Sequence, residues 1–277
     1  MELSVPLRGD LAVKIADQPR GDAFPTARLQ KGLLLFHEGV DLTEEGVGFG
    51  VPVLKRGALT IFPGAVRLAE RPDGACRVIT AAFEMDLVER LSGSEGRGPT
   101  SASFYAARDL LAALHRHLPV LRGPLTTLSN AVRRWRGWET TFEKIGVVAT
   151  LAVTYRIDGA GGRIRVAVDL SGLAGKDITE VVVMNELGAR HFDLYLDSEG
   201  ARLRGRRIGT WHEVSAATGC FAGTASGVAF SARQVKGAKL YRGRELMGSR
   251  LAWSGFGYSL RPTCGSFAHE VRIVRAP

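Results

Sequence analysis

Alternating apolar and polar residues recur along most of the chain, which is the spacing that puts every second side chain on one face of a β-strand. This pattern predicts about fifteen short strands separated by turns rich in Gly, Asp and Pro. The predicted strands are 11–15, 33–36, 51–54, 59–62, 65–68, 78–88, 147–157, 164–170, 178–184, 192–196, 201–208, 228–235, 240–242, 251–260 and 267–274. The clearest hairpin turn is the loop from Asp158 to Gly162, which lies between two cleanly alternating strands.

The period changes between Thr100 and Trp138, where apolar residues are spaced three and four apart as on an α-helix. The first series is Phe104, Ala107, Leu111, Leu114 and Leu118, and the second is Leu125, Leu128, Val132 and Trp135. Pro119 and Pro124 separate the two series, and Pro124 suits the first position of a helix. The segment is therefore predicted to form an α-helical hairpin at about 100–138.

Together these patterns predict a mainly β protein, namely a large antiparallel two-sheet sandwich of the supersandwich type with an inserted α-helical hairpin. We expect one domain over residues 1–277, because neither half has enough strands to look self-sufficient. The alternative is two smaller β domains, an N-terminal half of residues 1–91 and a C-terminal half of residues 139–277, joined by the helical segment.

In architecture alone, this plan resembles the large sandwiches of sugar-processing enzymes, such as the aldose mutarotases and the accessory domains of polysaccharide lyases. The resemblance covers the number and order of the elements and no catalytic signature, so it implies little about activity. It nevertheless makes carbohydrate the first ligand class to consider.

Charge adds a preference for acidic partners. The net charge is +9, and seven of the 37 basic residues are lysines, which leaves 30 arginines. Arginine binds carboxylates and phosphates through two parallel hydrogen bonds, so nucleic acid, an acidic glycan or a phosphorylated metabolite would each suit the composition. Because the arginines are spread along the whole chain rather than clustered, a GC-rich genome that encodes Arg in place of Lys is the favoured explanation.

The helical segment carries the strongest indication of nucleic acid binding. Five arginines lie on or beside it, together with two histidines and two tryptophans: Arg116, Arg122, Arg133, Arg134, Arg136, His115, His117, Trp135 and Trp138. The connection containing Pro119 and Pro124 is too long for a helix-turn-helix motif. The basic residues also lie opposite the apolar stripe, where any solvated helix carries its charges. A packing helix pair is therefore favoured over a nucleic acid interface.

The chain begins without a basic head followed by an apolar run, and no apolar run is long enough to cross a membrane, so we expect a cytoplasmic protein with no membrane contact. Cys76, Cys220 and Cys264 form no short pairing motif and are expected to be reduced. The sequence leaves the cofactors and the oligomeric state undetermined.

The first candidate for chemistry is the segment 33–57. It brings His37, Glu38, Asp41, Glu44 and Glu45 next to a run of glycines at 46, 48 and 50. The glycines superficially resemble a phosphate-binding loop, but Val51-Pro52-Val53 follows them where the N-terminus of a helix is required. The glycines therefore indicate a bent strand, and His37 and Glu38 remain candidates for acid/base roles.

The segment 185–197 is the second candidate. If 192–196 is a strand, Phe192, Leu194 and Leu196 share one face, and the polar residues share the other. These are His191, Asp193, Tyr195 and Asp197, with Asn185 and Glu186 at the end of the preceding strand. A base, acids and a phenol in one row are the groups that a catalytic or sugar-binding surface uses.

Aromatic residues next to polar ones recur in the C-terminal half of the chain. Trp211 is adjacent to His212, and Trp253, Phe256 and Tyr258 precede Arg261. Flat rings beside hydrogen-bonding groups suit sugars, but they equally suit a sandwich core. Three histidines are followed directly by a glutamate, at His37-Glu38, His212-Glu213 and His269-Glu270. Each pair lacks the second histidine of a zinc-protease helix, and no metal site is predicted.

The sequence therefore predicts a carbohydrate-active or carbohydrate-binding protein, acting on an acidic or phosphorylated sugar if it is an enzyme of the epimerase, glycosidase or lyase type. The predicted catalytic residues are His37, Glu38, His191, Asp193 and Glu186, and the predicted substrate-binding residues are Trp211, His212, Tyr195, Asn185 and Arg261. The alternative is a non-enzymatic binding or scaffold protein that contacts nucleic acid or a protein through the basic helical hairpin. Whether the chain is an enzyme stays open.

Overall fold

The computed structural model describes residues 1–19, 29–57, 59–73, 76–92, 139–247, 251–263 and 265–275. Within these ranges the chain is built almost entirely from antiparallel β-strands, as predicted. The strands of the first half are β1 (Glu2–Pro6), β2 (Leu11–Ala16), β3 (Leu34–His37), β4 (Val40–Asp41), β5 (Gly48–Arg56), β6 (Leu59–Asp73) and β7 (Cys76–Ser92). Those of the second half are β8 (Glu139–Asp158), β9 (Arg163–Asp169), β10 (Glu180–Gly188), β11 (Leu194–Asp197), β12 (Arg202–Arg204), β13 (His212–Glu213), β14 (Thr218–Ala222), β15 (Val228–Arg233), β16 (Lys239–Met247), β17 (Leu251–Leu260) and β18 (Ser266–Arg275).

The strands form two antiparallel sheets. The smaller sheet has the order β1-β2-β3-β4, and the larger has the order β12-β11-β14-β15-β18-β9-β8-β7-β6-β5-β10-β17-β16-β13. Strands from both sides of the predicted helical insertion thus lie in the same large sheet. Bridges between Gln18 and Val66 and between Leu33 and Phe49 join the small sheet to β6 and β5.

The large sheet folds over on itself, so that its two ends become the two layers of a sandwich. Phe230 on β15 contacts Phe49 on β5, with ring centroids 5.8 Å apart, and Phe256 on β17, at 5.7 Å. These strands are separated by several others in the order of the sheet, so their side chains can meet only across a layer interface. One layer contains β12, β11, β14, β15, β18, β9 and β8, and the other contains β5, β10, β17, β16 and β13. Both sandwich layers and their aromatic core agree with the predicted fold.

The alternation seen in the sequence explains why these strands form where they do. In β9 the residues alternate between exposed and buried, with Ile164, Val166 and Val168 fully buried and Arg163 and Arg165 exposed. The Asp158 carboxylate accepts a hydrogen bond from the Gly161 amide and closes the turn that leads into β9. The predicted hairpin at Asp158 to Gly162 is confirmed, because Asp158 pairs with Arg163 at its base.

Several predicted strands are longer in the structure, such as 240–242, which is part of β16, and three others differ in continuity or type. The segments 59–62 and 65–68 are one strand, β6, because a register shift at Pro63 lets the chain continue through the residue that cannot donate a hydrogen bond. The segment 201–208 is a strand only from Arg202 to Arg204 and then becomes a 3₁₀ turn at Gly205–Ile208, where Gly205 has φ 57°. The prediction also missed β1, β4, β13 and β14.

The helical hairpin predicted at about 100–138 lies outside the described residues. The residues that the structure does describe form two short 3₁₀ turns, Ser171–Leu173 and Gly205–Ile208, and no α-helix. No described helix is both long and apolar enough to cross a membrane. Whether the chain forms one domain or two stays a prediction.

Candidate functional site

A row of glycines crosses the outer face of the layer that contains β10, β17 and β16. Glu186 on β10 pairs directly with Gly255 on β17, and Gly255 pairs with Gly243 on β16. Directly paired residues of antiparallel strands point to the same face. Glu186 is therefore the one residue with a side chain in this row of three, next to the bare backbone of Gly255 and Gly243. The absence of a Cβ is required here, since a Cβ on Gly255 would lie 2.1 Å from the backbone oxygen of Asn185.

Two tryptophans fill the space that the glycines leave. A Cβ on Gly257 would lie 2.6 Å from the Trp211 ring, and a Cβ on Gly243 would lie 2.6 Å from the Trp253 ring. The two rings are 4.9 Å apart between centroids and inclined at 32°. Trp253 is buried, whereas Trp211 is partly exposed, so one ring lies against the sheet and the other borders solvent.

Trp211 is held in an unfavourable backbone conformation, with φ 50°. Left-handed φ values crowd the Cβ of a bulky residue and cost on the order of 1–3 kcal/mol. The surrounding turn maintains it, because Arg244 donates its backbone N–H to the Gly209 carbonyl at 2.8 Å and the Arg242 guanidinium donates to the Ile208 carbonyl. Strain of this kind is found most often where a side chain has to be presented in one position.

Two carboxylic acids border the tryptophans. Glu186 is only 3% exposed, and burial together with the negative charge of Glu245 raises its pKa to about 8. Its Oε1 has no hydrogen-bond partner within the described part of the chain. Glu245 is directly paired with Trp253, and burial raises the Glu245 pKa as well, partly offset by the Trp253 side chain. Glu245 is partly exposed, so it is the carboxylate of the two that a ligand can reach. We call Trp211, Trp253, Glu186, Glu245, Gly243, Gly255 and Gly257 the tryptophan patch.

A histidine and an acid lie next along the same strand. His191 Nε2 is 3.0 Å from Glu44 Oε1, and both side chains approach Gly188, two residues beyond Glu186 on β10. Glu44 is therefore the acid of the 33–57 segment that meets His191 at this end of the sheet. His37 lies in β3 of the small sheet, and Glu38 lies in the exposed turn that follows it.

The polar row expected at 191–197 is not formed. The strand begins at Leu194, and Tyr195 points into the core, fully buried between the rings of Phe221 and Phe256. The large ring takes the inward position, so Leu194 and Leu196 are left on the outer face, the reverse of the expected arrangement. Asp193 precedes the strand and accepts hydrogen bonds from Arg204 Nε at 2.9 Å and Thr224 Oγ1 at 3.1 Å.

Asn185 lies in the core and supports a bulge in β10. The pairing of β10 with β5 shifts between Met184 and Asn185, and the Asn185 Oδ1 accepts the hydrogen bond of the Gly50 N–H at 3.2 Å. The same oxygen is 3.0 Å from His269 Nε2 on the opposite layer. Burial lowers the His269 pKa to about 3, so this imidazole is neutral and its Nε2 donates. Asn185 thus joins the two layers, and no ligand can reach it.

The remaining predicted residues lie at different places. Arg261 is exposed in the turn after β17. His212 is in β13, with its ring against Gly209, in the same turn as Trp211. Among the residues named in advance, the structure therefore brings together Trp211, Glu186 and the neighbouring His191.

Sequence reasoning did not include Glu245, Trp253 or Glu44 in the predicted site. The pairing of Glu245 with Trp253 depends on the register of the β16–β17 hairpin, which no turn signal in the sequence specifies. The one available signal was the spacing of Gly255 and Gly257 in an aromatic strand, which indicates that something approaches the backbone closely.

Two clefts in the described part of the chain contain none of the predicted site residues. One cleft, of about 670 Å³, is lined by Val5–Arg8, Arg77, Ile157, Gly159 and Ala160. Another, of about 420 Å³, is lined by Arg56, Gly146–Val148 and Lys176–Ile178. Within the described ranges, no three His, Cys, Asp or Glu side chains cluster as metal ligands would.

Comparison with known proteins supports the fold. No protein-family model matches the chain, and no curated protein matches it significantly in sequence. The α-N-acetylgalactosaminidase NagBb of Bifidobacterium bifidum, in complex with GalNAc, superposes with a TM-score of 0.52 at 11% identity, covering 99% of this chain and 36% of the enzyme. Its complex with Gal-NHAc-DNJ gives a TM-score of 0.50 at 11% identity with the same coverage.

An α-galactosidase from Lactobacillus brevis superposes with a TM-score of 0.40 at 9% identity, covering 99% of this chain and 39% of that enzyme. The chain thus spans little more than a third of the enzymes that it resembles. At these identities the likeness shows the fold alone.

Proposed function

We propose that this protein binds a carbohydrate at the tryptophan patch. The observation that carries the proposal is a partly exposed tryptophan in a strained conformation, packed against a buried one that is directly paired with Glu245. A second carboxyl group, Glu186, lies in the neighbouring row of the sheet, and burial raises the pKa of both acids. Sugars present apolar C–H faces to aromatic rings and hydroxyl groups to carboxylates, so a ring and an acid side by side match their chemistry.

In this proposal Trp211 and Glu245 contact the sugar. The Trp211 ring receives the apolar face, and the Glu245 carboxylate accepts hydrogen bonds from hydroxyl groups. Trp253, which is directly paired with Glu245, favours the charged form of this carboxyl group. Glu186 lies beneath and keeps its proton, so it adds no second negative charge to the site.

The fold supports galactose-type sugars as the first ligands to test. The protein with a TM-score of 0.52 is named as an α-N-acetylgalactosaminidase, and this chain matches about a third of it.

Acid/base chemistry on the bound sugar is the finer part of the proposal. Two neighbouring carboxyl groups, one fully buried and one partly exposed, are groups that such chemistry can use. Glu245 is the reachable member, and the His191–Glu44 contact lies next along β10. A turnover assay with reducing sugars, followed by NMR, tests this part: Glu245→Gln should keep binding and lose turnover.

Binding is tested by titrating the protein with N-acetylgalactosamine and with galactose while following tryptophan fluorescence. We expect Trp211→Ala to weaken binding at least tenfold, about 1.4 kcal/mol, because the sugar loses the ring on which it stacks. Trp211→Phe should retain part of the affinity.

A matched control is Phe36→Ala, which removes a partly buried aromatic ring from the small sheet. This variant should bind as the wild type does. If Trp211→Ala binds every tested sugar as tightly as the wild type and Phe36→Ala, the tryptophan patch is not a carbohydrate site.

A further inference from the structure

The outer face of the opposite layer carries a second feature, a row of directly paired residues that runs across six strands. From β12 to β9 the row is Arg202, Leu196, Cys220, Ser231, Arg272 and Arg163. Because paired residues share a face, arginines stand at both ends and small or apolar residues lie between them. Neighbouring strands are about 4.8 Å apart, so Arg202 and Arg272 are separated by roughly 19 Å across the sheet.

Parallel rows extend this arrangement on both sides. On one side, Arg204 is followed by Leu194, Ala222 and Ala229, which form a small buried apolar cluster of their own. On the other side, exposed Arg233 lies on β15 and exposed Arg165 lies on β9. We call this surface the arginine groove: a floor of Leu196, Cys220 and Ser231 between arginines 202 and 204 on one bank and arginines 163, 165, 233 and 272 on the other.

The charges of the groove are largely open to solvent. The side chains of Arg163, Arg204 and Arg272 are 52%, 67% and 44% exposed, and each is paired with one acid, respectively Asp158, Asp193 and Glu270. Exposed ion pairs of this kind are worth little, so an incoming anion can share or replace the partner. Arg165, Arg202 and Arg233 form no ion pair with any residue that the structure describes. The arginines on the two sides of the groove therefore carry more positive charge than their acidic partners neutralise.

We infer that the arginine groove binds an acidic polysaccharide, a chain of sugars that carries carboxylate or sulfate groups. The floor is apolar or weakly polar and partly exposed, which suits the C–H faces of sugar rings. The banks present guanidinium groups, which bind carboxylates and sulfates through two hydrogen bonds. This inference goes beyond the proposed function, because the groove lies on the other layer and does not include the tryptophan patch.

The composition of the groove favours a polysaccharide over a nucleic acid. Proteins that hold single strands stack the bases on aromatic rings placed along a basic channel. None of the residues that form the banks or the floor is aromatic. The described residues also form no α-helix that could enter the major groove of a duplex from this surface.

Titration calorimetry with a heparin octasaccharide and with an oligogalacturonate tests the inference, and dextran serves as the neutral probe. We expect the wild type to bind the acidic probes and not dextran. The triple variant Arg202→Gln, Arg233→Gln, Arg272→Gln should bind them at least tenfold more weakly, and the dependence of log affinity on log salt should flatten by roughly two.

Two further triple variants remove the same charge elsewhere. Arg8→Gln, Arg67→Gln, Arg261→Gln changes exposed arginines outside the groove, and Arg133→Gln, Arg134→Gln, Arg136→Gln changes the basic segment outside the described residues. Both should bind within about twofold of the wild type. Circular dichroism confirms that each variant is folded.

Three results would overturn the inference: an equal loss in all variants, a loss confined to the 133–136 variant, or tighter binding of a single-stranded DNA oligonucleotide than of the acidic sugars. Trp211→Ala should leave binding of the acidic probes unchanged. Failure of the tryptophan patch and failure of the arginine groove are therefore seen in different variants and with different probes.

Discussion

Glu186 is the residue at which burial and charge conflict most directly. It lies on a sheet face, next to a second acid, with one carboxyl oxygen that makes no hydrogen bond to the described residues. A buried carboxylate without a cationic partner is costly, so the group keeps its proton to a higher pH than an exposed glutamate does.

This protonation makes stability depend on pH in a definite direction. The pKa of Glu186 is about 8 in the folded chain, whereas the ordinary pKa of a glutamate is 4.5. Between these pH values the unfolded chain therefore releases a proton that the folded chain keeps. The stability that the protonated form contributes is complete below pH 4.5 and is lost as pH rises toward 8, by at most about 1.4 kcal/mol per unit. Glu186→Gln cannot titrate, so its advantage over the wild type should grow from pH 5 to pH 8 in urea-unfolding measurements.

The control for this prediction is Glu213→Gln. The Glu213 side chain is 53% exposed, so its replacement should leave the shape of the pH profile as it is in the wild type. A Glu186→Gln variant whose stability follows the wild-type pH profile would show that Glu186 is ionised in the folded protein near neutral pH.

Asn185 illustrates how a residue type alone can mislead. An amide next to an acid near a strand end was a reasonable candidate for binding, and the structure instead uses it to fill a β-bulge and bond to His269. The sequence contains no sign of the bulge, because the bulge depends on how β5 and β10 pair over a separation of more than a hundred residues. Glu186, the next residue, faces outward and remains in the candidate site.

At the scale of elements, β17 is a strand whose two faces serve different purposes. Phe256 and Tyr258 point into the core, whereas Gly255 and Gly257 on the outer face leave room for the tryptophans. Glycine usually weakens a strand, so its presence in this place indicates close approach of another group.

Gly257→Ala should therefore displace Trp211 without unfolding the protein. The added methyl group would lie 2.6 Å from the ring, which has to move, whereas the backbone at this position needs no glycine conformation. We expect a shift of the tryptophan emission maximum and at least a tenfold loss of sugar affinity. Gly146→Ala, which meets nothing within 4 Å, should change neither quantity. An unchanged emission maximum in Gly257→Ala would contradict the described position of Trp211.

Periodicity predicted individual strands well only where one face meets water. The pattern of β9 is unambiguous because Arg163 and Arg165 alternate with buried aliphatic residues. In β11 both faces are partly covered, which removes the contrast between a polar and an apolar face. Tyr195 and Asp197 lie on the same face of the strand, but only Tyr195 enters the core. The sequence pattern then assigned the wrong face to the core.

At the scale of the whole molecule, the fold depends on the large sheet closing over its aromatic core. Phe230 contacts rings on four other segments of the chain, namely Phe49, Phe192, Phe221 and Phe256. It thus connects β15 to β5 and β17 on the opposite layer.

Phe230→Ala should lower the free energy of unfolding by about 3–5 kcal/mol, because it leaves a cavity where the two layers meet. Urea unfolding followed by circular dichroism measures this as a lower midpoint with an unchanged slope. Val274→Ala, on the neighbouring strand but 49% exposed, should change stability by no more than about 0.5 kcal/mol. Equal effects of the two changes would contradict the position of Phe230 at the layer interface.

The sequence by itself determined the β class, the antiparallel hairpins with one solvent-exposed face and the Asp158–Gly162 turn. These features depend on local alternation and on turn residues that are close together in the chain. It also singled out Trp211, Glu186 and His191. Only the tertiary structure decided that Glu245 and Trp253 join Glu186, that Glu44 meets His191 and that arginines from four strands line one groove. Those neighbours are set by strand register and by the folding of one sheet onto itself, which are long-range pairings that no local pattern encodes.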